Sequence, residues 1–253
     1  MLNYPGFQSA TVTQRTDWTS ELFSLRVSGA DLSFKAGQFT KLALPNAEGK
    51  LVSRAYSVVN APLSTSDMLE FLIIANPQGQ LSPQLQALNV GQSLYVGTRA
   101  NGDLLGEVIP KRANDLWLLS SGTGIGPFLS LLDDIHLRPR CEKIILVHAV
   151  RHRADLVYQY LIQQLIQLYD GRLQYVPIVS REPTEYLSGR IPQLIASGAL
   201  SQHTGVDLSA DESFVMLCGN PQMIKDTLPV LKELGLEKYR VKTGGHIVYE
   251  RYW

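Results

Sequence analysis

The rhythm of the chain changes once, near residue 110, and that change limits the folds open to it. Before it lie short alternating or β-branched runs at Leu22–Val27, Phe39–Leu44, Ala55–Val59, Leu69–Ala75 and Ser93–Val96. Turn residues such as Ser28-Gly29, Pro45-Asn46 and Asn76-Pro77-Gln78-Gly79 separate them. One helix-like stretch, Ser82–Leu88, interrupts the pattern. Strands at this spacing predict a closed antiparallel β-barrel of Greek-key type. After the change, Leu116–Ser120, Ile144–Val150, Leu173–Ser180 and Phe214–Cys218 are compact apolar runs, as strands buried on both faces require. Helical patterns at Pro127–Ile135, Ala154–Tyr169, Ile191–Ser197 and Pro221–Leu234 lie between them. Strand–helix alternation predicts βαβ units and a Rossmann-like α/β parallel sheet. The chain is therefore expected to hold two domains, residues 1–104 and 105–253, with the passage between them inside Asn101–Asn114. Its 253 residues suit two domains of about 100–150 residues.

Charge and composition narrow the function classes. Lys+Arg and Asp+Glu both total 23, so the formal net charge is zero, and a nucleic-acid binder would need a basic excess. No run approaches the roughly 20 apolar residues of a membrane span, and the opening MLNYPGFQSATVTQRTDW lacks the layout of a signal peptide. A soluble cytoplasmic protein is expected, and nothing demands more than a monomer. Two cysteines and five scattered histidines offer no metal-ligand spacing, so no metal is expected. A redox protein of this composition would have to carry an organic cofactor.

Five segments carry chemistry, and for 54–57, 79–83 and the arginines a bland reading (ordinary strand, helix capping, solvated surface) stands beside the functional one. Arg54-Ala55-Tyr56-Ser57 is either an ordinary strand or a phosphate-neutralising arginine beside a flat ring and a short hydroxyl. In Gly79-Gln80-Leu81-Ser82-Pro83, Ser82 reads as a helix N-cap, and the free N–H groups of that helix start as an anion site. Gly122-Thr123-Gly124-Ile125-Gly126-Pro127 joins an apolar strand to a helix. It is GxGxGP rather than GxGxxG or a P-loop, yet it suits backbone approach to a pyrophosphate. The next strand ends in Arg151, not in the acidic residue that would favour a free ribose hydroxyl, which points to the 2′-phosphate of NADP. Arg181 and Arg190 add two more arginines at a strand end or in the loop that follows. Finally, Cys218-Gly219-Asn220-Pro221-Gln222-Met223 reads as strand, tight turn and helix, with the cysteine where open α/β sheets bind ligands.

RxYS at 54–57, GxGxGP at 122–127, CGNPxM at 218–223 and ExYW at 250–253 occur in this order. With these motifs the chain resembles the ferredoxin–NADP⁺ reductase superfamily, most closely its bacterial ferredoxin/flavodoxin–NADP⁺ reductases, over essentially its whole length. The resemblance implies an N-terminal barrel that binds FAD and a C-terminal domain that binds NADP(H). It implies Arg54, Ala55, Tyr56 and Ser57 at the FAD, and Phe71, Leu72, Ile73 and Ile74 lining the flavin through strand backbone. Gly79, Gln80, Leu81 and Ser82 would hold the pyrophosphate, and Thr123, Tyr252 and Trp253 would also meet FAD. Thr123, Gly124, Arg151, His152, Ser180, Arg181, Arg190, Asn220, Pro221 and Gln222 would contact NADP(H). Ser57, Cys218, Glu250 and Tyr252 are the implied catalytic set. The implied activity is hydride exchange between NADPH and flavin N5, with a ferredoxin or flavodoxin as one-electron partner. A flavin or quinone reductase, or the reductase component of an oxygenase, could use the same two domains. A non-enzymatic flavin-binding subunit could dispense with Ser57, Glu250 and the arginines, all of which are present.

Overall fold

The computed structural model describes residues 4–62 and 68–252. Its first half is a six-stranded antiparallel sheet: β1 (Phe7–Asp17), β2 (Leu22–Ser28), β3 (Phe39–Pro45), β4 (Leu51–Ser57), β5 (Met68–Ile74) and β6 (Ser93–Gly97), with the short helix α1 (Ser82–Gln86) before β6. The strand order is β4-β3-β6-β1-β2-β5. The two edge strands meet: Val58 bridges Phe71, and the Val59 N–H donates to the Glu70 carbonyl at 2.8 Å. That seam closes the sheet into a barrel around Leu25, Val27, Leu42, Phe71, Ile73 and Leu94.

The second half holds β7 (Asp115–Ser121), α2 (Gly126–Asp133), β8 (Lys143–Val150), α3 (Gln159–Leu168), β9 (Leu173–Val179), α4 (Ile191–Ala196), α5 (Ala199–Thr204), β10 (Ser213–Gly219), α6 (Pro221–Glu233) and β11 (Ile247–Arg251). All five strands are parallel, in the order β11-β10-β7-β8-β9. The chain builds outward from β7 to β9 and then returns to the other side of β7 as β10. The switch point of this doubly wound sheet therefore lies between β7 and β10, where ligand crevices form outside the carboxyl ends of the strands.

The two halves share a core. One face of the parallel sheet, with Leu116, Leu118 and Leu146, packs with Phe128 of α2 and with Leu22, Val59 and Leu72 of the barrel. The opposite face, with Trp117, Leu119 and Val147, lies under α4 and α6. Polar bonds cross the same junction. Ser130 Oγ accepts from the Gly37 N–H at 3.3 Å and donates to the Asn60 carbonyl at 2.9 Å. The Tyr158 hydroxyl donates to Glu70 Oε1 at 2.7 Å.

Several elements differ from the sequence expectation, among them α5 and β11, which it did not include. β1 was not anticipated, because FQSATVTQRTD buries only Ala10 and Val12 and otherwise reads as polar. The helix expected over Ala154–Tyr169 starts at Gln159, because Tyr158 adopts a left-handed backbone (φ 59°) that a helix cannot pass through. Ser82 is not the N-cap of α1: Leu81 holds that position, and Ser82 Oγ instead accepts the Asn76 N–H at 3.0 Å, closing the preceding loop.

Candidate active site

Two glycine turns interlock at the switch point. After β7, Gly122–Ile125 forms one tight 3₁₀ turn that runs directly into α2. After β10, Gly219 turns with φ 128°, a conformation L side chains rarely adopt. A Cβ on Gly124 would overlap the Cys218 carbonyl and stand 2.8 Å from Gly219 Cα, so these two backbones touch only because neither turn carries a side chain there. Ser121 Oγ ties the turns together by accepting the Asn220 N–H at 2.9 Å. Asn220 Oδ1 in turn accepts the N–H groups of Gln222 (2.8 Å) and Met223 (3.3 Å), capping α6.

Four polar groups from distant parts of the chain converge beside these turns. Register places Cys218 opposite Glu250 on the paired strands β10 and β11. The chain continues to Tyr252, whose N–H donates to the Gly219 carbonyl at 2.9 Å. The Tyr252 hydroxyl reaches across the junction and hydrogen-bonds Ser57 Oγ at the end of β4. Tyr252 also lies within hydrogen-bonding reach of the Cys218 thiol. Burial pushes both groups above their ordinary pKa, so the thiol stays protonated and is no thiolate nucleophile. Glu250 Oε1 accepts the Asp103 N–H at 2.7 Å, while Oε2 is buried with no hydrogen-bond partner among the described residues. Burial raises the Glu250 pKa to about 7, against the pull of the N–H groups of Asp103 and Leu104. A carboxyl poised there can hold or release a proton at neutral pH.

The barrel seam suits a flat, phosphate-bearing cofactor. β5 pairs with β2 along one side only; past its bridge at Phe71, no strand among the described residues pairs with the outer side of Leu72–Ile74, leaving backbone groups there to meet a ligand. Side chains do not fill this role: Phe71, Leu72 and Ile73 are buried in the cores, whereas Ile74 is 43% exposed. Arg54 is exposed, and among the described residues its guanidinium reaches only the Ser53 carbonyl (2.8 Å). Tyr56 is half-buried with its phenol pushed up to about 12 by burial, so the ring stays neutral. Leu81 points into the barrel core and could offer only backbone, as could Gly79 and Gln80. These groups fit FAD: an unpaired cation for phosphate, a neutral ring and a free strand edge. Trp253 lies outside the described residues.

The opposite flank of the crevice presents cations. Arg151 and Arg181 are adjacent through their backbones, the Arg181 N–H donating to the Arg151 carbonyl at 3.0 Å. Ser180 Oγ donates to the Val150 carbonyl at 3.0 Å. Arg190 follows the bridge of Leu187 to Ile178 and opens α4. All three arginines are exposed, and none forms an ion pair among the described residues. Nearby Arg153, by contrast, pairs with Glu185 at 3.1 Å. His152 stands 4.0 Å from Glu182, and its N–H is held by Asp155. Thr123 and Gly124 are buried in the turn, Pro221 is half-buried at the start of α6, and Gln222 is exposed, bonded to Asp226.

Some members of this site were not singled out from the sequence. His148 lies wholly buried in β8 with Nε2 3.1 Å from the Gly122 carbonyl, and its one signal was a polar residue inside an apolar strand run. Ser121 and the Asp103 N–H had no signal at all, because their partners lie about a hundred or more residues away.

A closed barrel whose seam faces the switch point of a doubly wound sheet defines a two-domain flavin- and dinucleotide-binding oxidoreductase. The family model of the oxidoreductase FAD-binding domain matches residues 10–99, and that of the oxidoreductase NAD-binding domain matches residues 118–228. The chain is 44% identical over 244 residues to the flavodoxin/ferredoxin–NADP reductase of Escherichia coli K12, covering 96% of this chain and 97% of that one. It is 35% identical over 230 residues to the ferredoxin–NADP reductase of Pseudomonas aeruginosa, covering 87% of each. The crystal structure of a ferredoxin NADP⁺ reductase from Neisseria gonorrhoeae, with bound FAD and NADP, superposes with a TM-score of 0.90 at 30% identity. That match covers 98% of this chain and 99% of the other. The chain belongs to the flavodoxin/ferredoxin–NADP reductase family.

Proposed function

We propose that this protein moves electrons between NADPH and a ferredoxin or flavodoxin through bound FAD. The observation that carries the reading is the convergence of Ser57, from the barrel, with Cys218, Glu250 and Tyr252, from the carboxyl ends of β10 and β11, at the switch point. In this reading residues 1–104 form the FAD-binding unit and 105–253 the NADP(H)-binding unit. Arg54, the free β5 edge and the 79–82 backbone hold FAD, while Tyr56 packs against its ring. When bound, FAD supplies the exchange between a two-electron hydride donor and a one-electron carrier. The protein orients the reactants and excludes water. Gly124 lets the coenzyme-side turn press onto β10, Tyr252 and Ser57 shield the junction, and Glu250 carries an exchangeable proton at Oε2. Arg151, Arg181 and Arg190 await a multiply charged anion, which suits the 2′-phosphate of NADPH. The protein is proposed to work as a cytoplasmic monomer. Among the described residues no helix is long and apolar enough to cross a membrane.

The test is the visible spectrum of the purified protein, then anaerobic reduction by NADPH and by NADH, with and without Arg181→Ala. A charge-assisted hydrogen bond contributes about 1.5–3 kcal/mol, and solvent screening of an exposed guanidinium favours the lower end. The Ala variant should therefore raise the KM for NADPH roughly tenfold and leave NADH unchanged. Equal loss with both coenzymes would remove the 2′-phosphate assignment. A colourless protein unable to take up FAD would end the proposal.

A further inference from the structure

His148 has a bonding pattern that packing alone does not explain. It is fully buried, whereas the other four histidines are exposed or half-buried. Its Nε2 faces the Gly122 carbonyl at 3.1 Å, and its Nδ1 faces the Tyr175 hydroxyl at 3.4 Å. The Tyr175 hydroxyl accepts from Gln159 Nε2 at 3.0 Å. A carbonyl can only accept, so the proton of the neutral ring sits on Nε2, and Nδ1 is left to accept from tyrosine. Every donor in the chain Gln159, Tyr175, His148 then points the same way, ending on Gly122. Burial holds the imidazole pKa down to about 4, so the ring is neutral throughout the physiological range.

The carbonyl it holds belongs to a residue with unusual freedom. Gly122 sits at φ 54° with nothing within 4 Å of where its Cβ would be, and it opens the 3₁₀ turn Gly122–Ile125, so its peptide is set by the turn's backbone bonds and by the His148 ring. Glycine tolerates both signs of φ, so at residue 122 no side chain helps those bonds to fix the peptide plane. A trans peptide sets C=O and N–H on opposite sides. Fixing the Gly122 carbonyl toward β8 therefore directs the Thr123 N–H away from the strand core.

We propose that His148 is a positioning residue for the coenzyme: its Nε2–H locks the Gly122–Thr123 peptide so that the turn presents the Thr123 N–H to the nicotinamide half of NADP(H). The inference rests on the functional reading above. It separates the two halves of the coenzyme, because the arginine flank meets the adenosine half and the locked peptide meets the other.

The test compares binding of NADP⁺ and of 2′-phospho-AMP to the oxidised FAD-loaded protein, using His148→Leu, which removes the donor, and His148→Gln, whose Nε2 restores one at similar reach. His148→Leu should weaken NADP⁺ binding roughly 3- to 10-fold, the worth of about one neutral hydrogen bond, and leave 2′-phospho-AMP unchanged. His148→Gln should bind NADP⁺ like the wild type. Unchanged NADP⁺ binding in the Leu variant overturns the assignment, as does equal weakening of both nucleotides or a Gln variant no better than Leu. Should the Leu variant fail to fold, the ¹⁵N shifts of the wild-type imidazole decide instead, with the resonance identified by its loss in His148→Gln. Protonation at Nε2 supports the lock and protonation at Nδ1 excludes it. A wild-type protein that binds neither nucleotide overturns the functional reading, and this inference falls with it.

Discussion

Glu250 and His148 are displaced in opposite senses by the same cause. Glu250 is raised to about 7, so the fold binds its proton more tightly than the unfolded chain does. Its contribution to stability therefore falls as pH rises from the unfolded carboxyl range near 4.5 through about 7, at about 1.4 kcal/mol per unit of displacement. His148 is lowered to about 4, so its contribution is complete above 6.5 and is lost as pH falls from 6.5 toward 4. Glu250→Gln keeps an acceptor for the Asp103 N–H but cannot ionise. It should flatten the alkaline decline of the melting temperature and remove an inflection near pH 7 from the rate of flavin reduction by NADPH. FAD content should stay the same. Identical pH profiles for the two proteins would show that the Glu250 proton takes no part. The glutamate was visible in the sequence through its ExYW setting. Its proton affinity was not, because that comes from burial against a segment around Asp103, 147 positions away in the chain, whose N–H groups only partly offset it.

At the scale of elements, the two turns at the switch point divide their glycines by task. Gly124 is bare because the Cys218 backbone occupies the space a Cβ would need, whereas Gly122 is bare only because its φ is positive. Gly124→Ala must push α2 and its turn away from β10, an overpacking that costs typically 1–3 kcal/mol. Because the turn moves, hydride transfer should slow more than stability alone explains. Gly122→Ala has open space and should cost only the left-handed backbone term, about 1–2 kcal/mol. Denaturant melts and single-turnover reduction of both variants provide the check; equal kinetic effects would mean that the close approach does not set the turn. Both turns were readable as strand, glycine and helix, and four of the five parallel strands lie within a residue or so of their apolar runs, the edge strand β11 having had none. What could not be read was the contact between the turns, which joins residues 124 and 218. β1 was lost for a different reason: an outer barrel strand that buries two side chains leaves almost no hydrophobic period to detect.

Across the whole molecule, the relative placement of barrel and parallel sheet decides whether Ser57 meets Tyr252. Tyr158 is the strained part of that placement. It is buried, stands in the left-handed region at φ 59°, and packs its ring 4.9 Å from that of Trp18. An aromatic residue keeps such a backbone only where surrounding contacts over-determine it. Here the contact is with Glu70 of β5, a buried carboxylate that accepts from Tyr158 at 2.7 Å and from Arg26 Nε at 2.7 Å. Tyr158→Phe keeps the ring, its packing and the same backbone cost, so it isolates the hydrogen bond across the junction. A hydrogen bond to a charged group contributes about 1.5–3 kcal/mol, and the variant should lose that much. The loss should also be visible in how the halves come apart. With the junction intact, flavin release and tryptophan fluorescence should report one unfolding transition, because the barrel and the sheet share a core. In the Phe variant the two probes should separate, with flavin released at lower denaturant. If the midpoint does not move, Arg26 alone satisfies Glu70. The shared apolar face of Leu22, Val59 and Leu72 would then be sufficient to hold the two halves in register.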